Sequence, residues 1–129
     1  MATQKILIVD DDPIIRDLVA SVLQAEGYAV ETAEDGKQGV ERVEQCSTDE
    51  KFTAIILDVC MPEMNGLDVA TRLKLRPESQ DIPVMMLTGE DKAEDIMAGY
   101  SVGADYYITK PFTRQQLLFG MNMLLSESD

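Results

Sequence analysis

Four short apolar runs, each followed at once by polar residues, constrain the fold of this chain more than any other feature. The runs cover residues 6–9, 55–57, 84–87 and 106–108. Segments with a helical apolar pattern separate them, and such alternation is typical of parallel strands joined by crossover helices. Because the carboxyl ends of parallel strands meet at one edge of a sheet, the polar residues after these runs are expected to converge.

The order of the elements predicts a doubly wound, flavodoxin-like α/β fold. Strands are expected near residues 5–9, 28–32, 54–57, 83–87 and 106–109, in one parallel sheet of order 2-1-3-4-5. Five helices are expected on the two faces, near residues 13–26, 36–46, 67–75, 91–102 and 113–125. Residues 1–129 are therefore predicted to form a single domain, with residues 126–129 as a tail or the start of a linker.

The first helix has a clear start and a predicted buried side. Asp12 suits the N-cap and Pro13 the first helical position. An apolar stripe at helical spacing is expected to face the sheet and consists of Ile15, Leu18, Val19 and Val22.

Charge and composition narrow the classes of function. The chain of 129 residues has 11 basic and 24 acidic residues, a formal net charge of −13. This charge argues against direct binding of nucleic acid or of an anionic membrane by this chain. The absence of histidine excludes Ser-His-Asp catalysis and histidine-ligated zinc. The two cysteines, Cys46 and Cys60, lack metal-type spacing, and a reduced cytoplasmic setting is the default expectation.

The polar residues at the strand ends predict a site for a divalent cation and a phosphoryl group. Asp10, Asp11 and Asp58 would supply carboxylate oxygen atoms, which suit Mg²⁺ where a phosphate is also bound. Thr88 would supply a hydroxyl group and Lys110 a cation for the phosphate oxygen atoms. An alternative for residues 10–12 is a solvated helix N-terminus, where acidic residues are common.

Four motifs, taken in order and spacing, resemble the receiver (response regulator) domain of two-component signalling, in its chemotaxis-receiver-like form. They span essentially the whole chain and read Ile-Leu-Ile-Val-Asp-Asp-Asp (6–12), Leu-Asp-Val-Cys-Met-Pro-Glu-Met-Asn-Gly (57–66), Met-Leu-Thr-Gly (86–89) and Asp-Tyr-Tyr-Ile-Thr-Lys-Pro-Phe (105–112). The resemblance implies that Asp58 accepts a phosphoryl group from the phosphohistidine of a sensor histidine kinase or a phosphotransfer protein. It further implies that Mg²⁺ is bound by Asp11, by Asp58, by the main-chain carbonyl of Cys60 and, through a water molecule, by Asp10.

The resemblance also assigns the remaining site residues and the output. Thr88 and Lys110 would bind phosphoryl oxygen atoms, Thr88 and Tyr107 would act as a switch, and the Lys110–Pro111 peptide bond would be cis. The protein would catalyse only its own phosphorylation and dephosphorylation and would not be an enzyme in the usual sense. The output surface would comprise the helix after Thr88, the fifth strand and the last helix.

The resemblance to receiver domains also implies possible binding partners for the output surface. The output surface would bind a downstream target, an attached output domain or a second copy of the chain in a phosphorylation-linked homodimer. Phe119 and Met123 lie four residues apart and are expected on the solvent side of the last helix, either as part of that surface or as ordinary exposed apolar residues. The receiver would be free-standing or the N-terminal part of a longer regulator.

Two other classes of protein share some of these features. A phosphatase with an aspartyl nucleophile would need a second acid two residues after Asp58, where this chain has Cys60. A flavin carrier of the same fold would need a phosphate loop after the first strand, where residues 10–12 are acidic and would repel phosphate.

Overall fold

The computed structural model describes residues 4–46, 51–59, 61, 63–89 and 103–126. Its strands are β1 (Lys5–Val9), β2 (Ala29–Ala33), β3 (Ala54–Asp58), β4 (Val84–Thr88) and β5 (Tyr106–Thr109). Its helices are α1 (Pro13–Ala25), α2 (Gly36–Gln45), α3 (Gly66–Lys74) and the C-terminal helix α4 (Arg114–Ser126). The strands form one parallel sheet in the order β2-β1-β3-β4-β5, which confirms the predicted topology. The helix predicted at residues 91–102 lies outside the described residues.

Alternate side chains of the central strands pack into two separate hydrophobic cores, one on each face of the sheet. The core under α2 and α3 contains Leu7, Val9, Ile55, Leu57, Val84 and Met86. The core under α1 and α4 contains Ile6, Ile8, Ala54, Ile56, Met85 and Leu87. Because both faces are covered, β3 and β4 are apolar at nearly every position, unlike a strand with one face in solvent.

Side-chain caps begin α1 and α2, and the cap of α1 is the predicted Asp12. The Asp12 side chain accepts a hydrogen bond of 2.9 Å from the main-chain nitrogen of Ile14, and Pro13 occupies the first turn of α1. Asp35 caps α2 through a 2.8 Å bond from the nitrogen of Gln38. Such bonds satisfy main-chain donors that have no partner within the helix.

One predicted core position of α1 is wrong. Leu18 is 47% exposed, whereas Val19 and Leu23 are fully buried. The side of α1 that faces the sheet is centred on Val19 and Leu23, so Leu18 lies beside Ile14 at the solvent edge. The four apolar positions predicted for the stripe span a wider arc than the sheet covers.

The C-terminal helix α4 has Phe119 and Met123 on its solvent side, as predicted, and packs closely on the sheet at Gly120. Leu117, Met121 and Leu124 are buried, whereas Phe119 and Met123 are exposed by 59% and 38%. A Cβ atom at Gly120 would lie 3.0 Å or less from side-chain atoms of Met85, Ile108 and Tyr106. Glycine at this position therefore lets the helix approach β4 and β5 closely.

Candidate functional site

The acidic residues of the site are positioned by the carboxyl ends of β1 and β3. Asp10 directly follows β1, and Asp58 is the last residue of β3, which pairs with β1 through Val9 and Leu57. The Asp10 side chain is fully buried and Asp58 is 3% exposed, while Asp11 is exposed at the rim. Two buried carboxylates at adjacent strand ends repel each other, so a compensating cation is required.

The three carboxylates are close enough to share one metal ion. One oxygen atom from each of Asp10, Asp11 and Asp58 lies within 4.8 Å of the other two. Oxygen ligands on opposite sides of Mg²⁺ are about 4.2 Å apart, so small side-chain rotations would bring these atoms onto one ion. A donor set of oxygen atoms alone fits a hard cation, and the site therefore suits Mg²⁺. The main-chain carbonyl of Cys60, predicted as a further ligand, lies outside the described residues.

Lys110, the residue directly after β5, supplies a positive charge to this cluster. Its Nζ atom lies 3.1 Å from Oδ2 of Asp10 and 3.3 Å from Oδ1 of Asp58. Burial lowers the pKa of Lys110, but the carboxylates of Asp58 and Asp10 outweigh burial and raise the pKa above its usual value. The amine is therefore a permanent cation at physiological pH. The Lys110–Pro111 bond is cis, as the resemblance implied.

Thr88 lies on β4, the strand next to that of Asp58, and Tyr107 lies on β5, one strand further along the sheet. Thr88 ends β4, is 1% exposed, and accepts a hydrogen bond at its main-chain oxygen from the nitrogen of Lys110. Tyr107 lies on β5 opposite Met86 in the parallel register and packs partly buried against the core under α2 and α3. The sheet thus brings Asp10, Asp58 and Thr88 to one edge, with Tyr107 further back along β5.

Arg16 is a site residue that the sequence reasoning missed. Its Nη1 atom donates a 2.7 Å hydrogen bond to the main-chain oxygen of Asp10. The main-chain nitrogen of Asp12 donates a 2.9 Å bond to Oδ1 of the same Asp10. An arginine one helical turn after an acidic run was the available signal, because helical side chains tilt toward the N-terminus of their helix.

A shallow groove of about 560 Å³ lies beside the site, between β5 and α4. Its lining consists of Tyr106, Tyr107, Ile108, Thr109, Thr113, Gln115, Gln116 and Phe119. The groove therefore joins the predicted switch residue Tyr107 to the exposed ring of Phe119.

The chain resembles known receiver proteins in sequence and in structure. Residues 6–121 match the response regulator receiver domain family. The chain is 38% identical over 120 residues to the probable transcriptional regulatory protein TcrX of Mycobacterium tuberculosis, covering 93% of this chain and 49% of that protein. It is 40% identical over 125 residues to the DNA-binding dual master transcriptional regulator RpaA of Synechocystis, covering 97% of this chain and 50% of that protein.

Among solved structures, the chemotaxis protein CheY4 of Vibrio cholerae has the same fold. It superimposes with a TM-score of 0.89 at 35% identity, covering 96% of this chain and 100% of that chain. The chain thus spans about half the length of the curated relatives it matches and the whole length of this structural relative. Across the part of the chain that the structure describes, no helix has the length and apolar character needed to cross a membrane.

Proposed function

The chain belongs to the response regulator receiver domain family, a signalling domain of two-component systems, and on that premise we propose that Asp58 is its phosphoacceptor. The phosphoryl donor is a phosphohistidine on a sensor histidine kinase or a phosphotransfer protein. The observation that carries this proposal is the convergence of the Asp10, Asp11 and Asp58 carboxylates within 4.8 Å, next to the Lys110 amine.

The proposed reaction is a direct displacement at phosphorus. An oxygen atom of Asp58 forms a bond to phosphorus while the bond from phosphorus to the donor imidazole nitrogen breaks, and the electron pair stays on that nitrogen. In dephosphorylation, water attacks phosphorus and the carboxylate of Asp58 leaves. Inorganic phosphate is then released, and the carboxylate of Asp58 is free to accept another phosphoryl group.

Each residue around Asp58 has a role in this scheme. Asp11, Asp58 and the carbonyl of Cys60 would hold Mg²⁺ directly, and Asp10 would hold it through a water molecule. A Mg²⁺ ion held by these residues would offset the charge repulsion between the carboxylate and the incoming phosphoryl group. The Lys110 amine, already 3.3 Å from Asp58, transfers its ion pair to a phosphoryl oxygen, and the Thr88 hydroxyl donates to another.

The signal follows from the charge that phosphorylation adds. A phosphoryl group brings about −1.5 to −2 charge and three strong acceptor oxygen atoms. Movement of the buried Thr88 toward these atoms leaves space behind it, which the Tyr107 side chain fills. Because Tyr107 lines the groove between β5 and α4, this rotation changes the groove. That groove, together with residues 91–102, is the proposed output surface.

We further propose that residues 1–129 form one receiver domain, whose output surface acts on a separate target or on an attached output domain. Two curated relatives of about twice this length are named as transcriptional regulators, which supports an output domain attached after residues 126–129. The full-length match to a chemotaxis protein supports a free-standing receiver that binds a separate target. In both arrangements the receiver works in the cytoplasm, away from membranes, and the strongly acidic chain does not itself contact nucleic acid.

Labelling from small phosphodonors tests the proposal without knowledge of the kinase. The purified chain is incubated with phosphoramidate, whose P–N bond resembles that of phosphohistidine, with Mg²⁺ or with EDTA. Intact mass spectrometry should detect one added phosphoryl group on the wild type only with Mg²⁺. Asp58→Asn should remain unlabelled, and the control Asp81→Asn, at an exposed position, should label like the wild type. Equal labelling of Asp58→Asn, or labelling that is indifferent to Mg²⁺, would exclude the mechanism.

A further inference from the structure

The guanidinium group of Arg16 donates a hydrogen bond to a main-chain carbonyl, although the three carboxylates of the site lie nearby. Its Nη1 atom lies 2.7 Å from the main-chain oxygen of Asp10. Within the described part of the chain, Arg16 forms no ion pair. The carboxylate oxygen atoms of Asp10 instead accept hydrogen bonds from the Asp12 nitrogen and the Lys110 amine. Arg16 therefore contacts the acidic site without occupying the atoms that a metal ion would need.

The bond from Arg16 fixes the orientation of one particular peptide unit. The carbonyl of Asp10 belongs to the planar peptide that joins Asp10 to Asp11, so a donor on that oxygen restrains the rotation of the whole plane. Asp10 is further held by its nitrogen, which donates to the main-chain oxygen of Ala33 at 3.3 Å. Asp11 is exposed and lies beyond the end of the strand, so the orientation of this plane, together with the torsions of Asp11 itself, sets the direction of its carboxylate.

We propose that Arg16 is a positioning residue for the metal site, acting through the peptide between Asp10 and Asp11. It directs the Asp11 carboxylate toward Asp10 and Asp58 before any metal ion binds. The inference rests on the proposed function, since it assumes that these three carboxylates bind Mg²⁺. Residues that orient metal ligands without touching the metal commonly affect metal affinity.

The sign of the change in Mg²⁺ affinity separates positioning from simple electrostatics. Arg16 carries a positive charge beside a cation site, and its removal would by charge alone strengthen Mg²⁺ binding. Loss of positioning has the opposite effect, because Asp11 must then be ordered at the moment of binding. A purely structural role would lower the stability of the fold and leave the Mg²⁺ affinity of the folded protein unchanged.

The test is a Mg²⁺ titration of residues 1–129 without any phosphodonor, in which changes in amide chemical shifts report binding. The temperature is chosen so that circular dichroism shows every variant to be folded. Arg16→Met should weaken Mg²⁺ binding by about tenfold, the lower end of the effect of ligand-orienting groups. The control Arg76→Met removes the same charge from a residue whose ion pairs are with Glu44 and Glu78, and should bind Mg²⁺ like the wild type. Asp11→Asn serves as the reference for a lost ligand.

Each outcome decides between the alternatives. Weaker binding in Arg16→Met alone supports the inference. Unchanged or tighter binding in Arg16→Met overturns it while the proposed function stands. An equal loss of binding in Arg76→Met also overturns it, because the loss would then not depend on the contact between Arg16 and the Asp10 carbonyl. Failure of the wild type to bind Mg²⁺, or normal binding by Asp11→Asn, would instead remove the metal site itself and both proposals with it.

Discussion

The amine of Lys110 lies 3.3 Å from Oδ1 of Asp58, and the sheet brings the pair together because Asp58 ends β3 and Lys110 directly follows β5, with β4 between them. The Lys110 side chain is 21% exposed and that of Asp58 5% exposed. The same amine also contacts Asp10, whose side chain is fully buried. In the metal-free protein, Lys110 therefore supplies positive charge at the place where the proposed Mg²⁺ would otherwise supply it.

Replacement of Lys110 should make the stability of the protein depend on Mg²⁺. Without the amine, Asp10 and Asp58 are left as buried carboxylates that repel each other, so Lys110→Met should lower the free energy of unfolding in EDTA by about 2 kcal/mol. This is less than for a fully buried pair because the amine is partly exposed. Mg²⁺ should restore most of the loss, since it binds the folded state only. Urea denaturation with EDTA and with Mg²⁺ measures both values.

The control for this prediction is Lys37→Met. Lys37 is exposed on α2 and forms no ion pair among the residues that the structure describes. Its replacement should alter the free energy of unfolding by less than about 0.5 kcal/mol in either buffer. If Lys110→Met lowered the free energy of unfolding equally with and without Mg²⁺, the metal ion would not replace the amine as the positive charge beside Asp10 and Asp58.

Gly66 should be required for the position of Asp58. A Cβ atom at Gly66 would lie well under 3.0 Å from the main-chain oxygen of Asp58, and a strand backbone cannot yield as a flexible side chain can. Gly66→Ala should therefore lower the free energy of unfolding by about 2 kcal/mol through overpacking, and should weaken Mg²⁺ binding by displacing Asp58. Urea denaturation and a Mg²⁺ titration measure the two effects.

Gly89 provides the matched comparison for Gly66. A Cβ atom at Gly89 would meet nothing within 4 Å, so Gly89→Ala should leave the free energy of unfolding unchanged or slightly higher. Similar losses in the two variants would mean that the contact between α3 and the end of β3 does not set the position of Asp58.

The fold could be predicted from the sequence because several local signals agree. Short apolar runs marked the strands, and Asp12 with Pro13 marked the start of α1. The register of the sheet then carried Asp10 and Asp58 to the same edge, as expected for parallel strands. Strand ends were less accurate: β3 and β4 extend by one residue, so that Asp58 and Thr88 end strands instead of beginning loops.

What the sequence could not supply was the packing distance between elements. The exposure of Leu18 depends on how far the sheet extends under α1, and this is not visible in the helical period of α1 alone. Gly120 had no local explanation, because the close approach of α4 to Met85 and Ile108 exists only in the folded protein. The contact of Arg16 with the Asp10 carbonyl could not be predicted either, because it depends on the direction that the Arg16 side chain takes once the turn between β1 and α1 has folded.

Glu31 should contribute to stability in a pH-dependent manner. Burial raises the pKa of Glu31, but hydrogen bonds from Lys5 and Arg42 outweigh burial and bring the pKa below its usual value. A carboxyl group with a lowered pKa stabilises the fold above its unfolded-state pKa of about 4.3, and the contribution is lost as the pH falls through the folded-state value. Glu31→Gln should therefore cost about 1 kcal/mol at pH 7, and the cost should vanish at acid pH.

Urea denaturation of the wild type and Glu31→Gln between pH 7 and pH 3 tests this expectation. Glu41→Gln is the matched control, because Glu41 is exposed and forms no ion pair among the described residues. Its difference from the wild type should be small and should show no comparable decline across that range. A Glu31→Gln difference that persisted unchanged at pH 3 would show that packing, and not the charge of Glu31, accounts for the loss.

Phe119 should affect what the phosphorylated protein binds without affecting its phosphorylation. Its ring is 59% exposed and lines the groove that also contains Tyr107, while the carboxylates and Lys110 lie at the carboxyl edge of the sheet. Phe119→Glu should therefore leave labelling from phosphoramidate within about twofold of the wild type, as expected for a surface substitution away from the site. It should weaken self-association or target binding of the beryllium fluoride-loaded form, because the added carboxylate places charge in an apolar contact. Sedimentation of that form and of the unloaded form measures the self-association.

Asn122→Glu is the control, since Asn122 is exposed on the same helix outside the lining of the groove. Equal behaviour of the two variants in both forms would place the phosphorylation-dependent surface elsewhere on the domain.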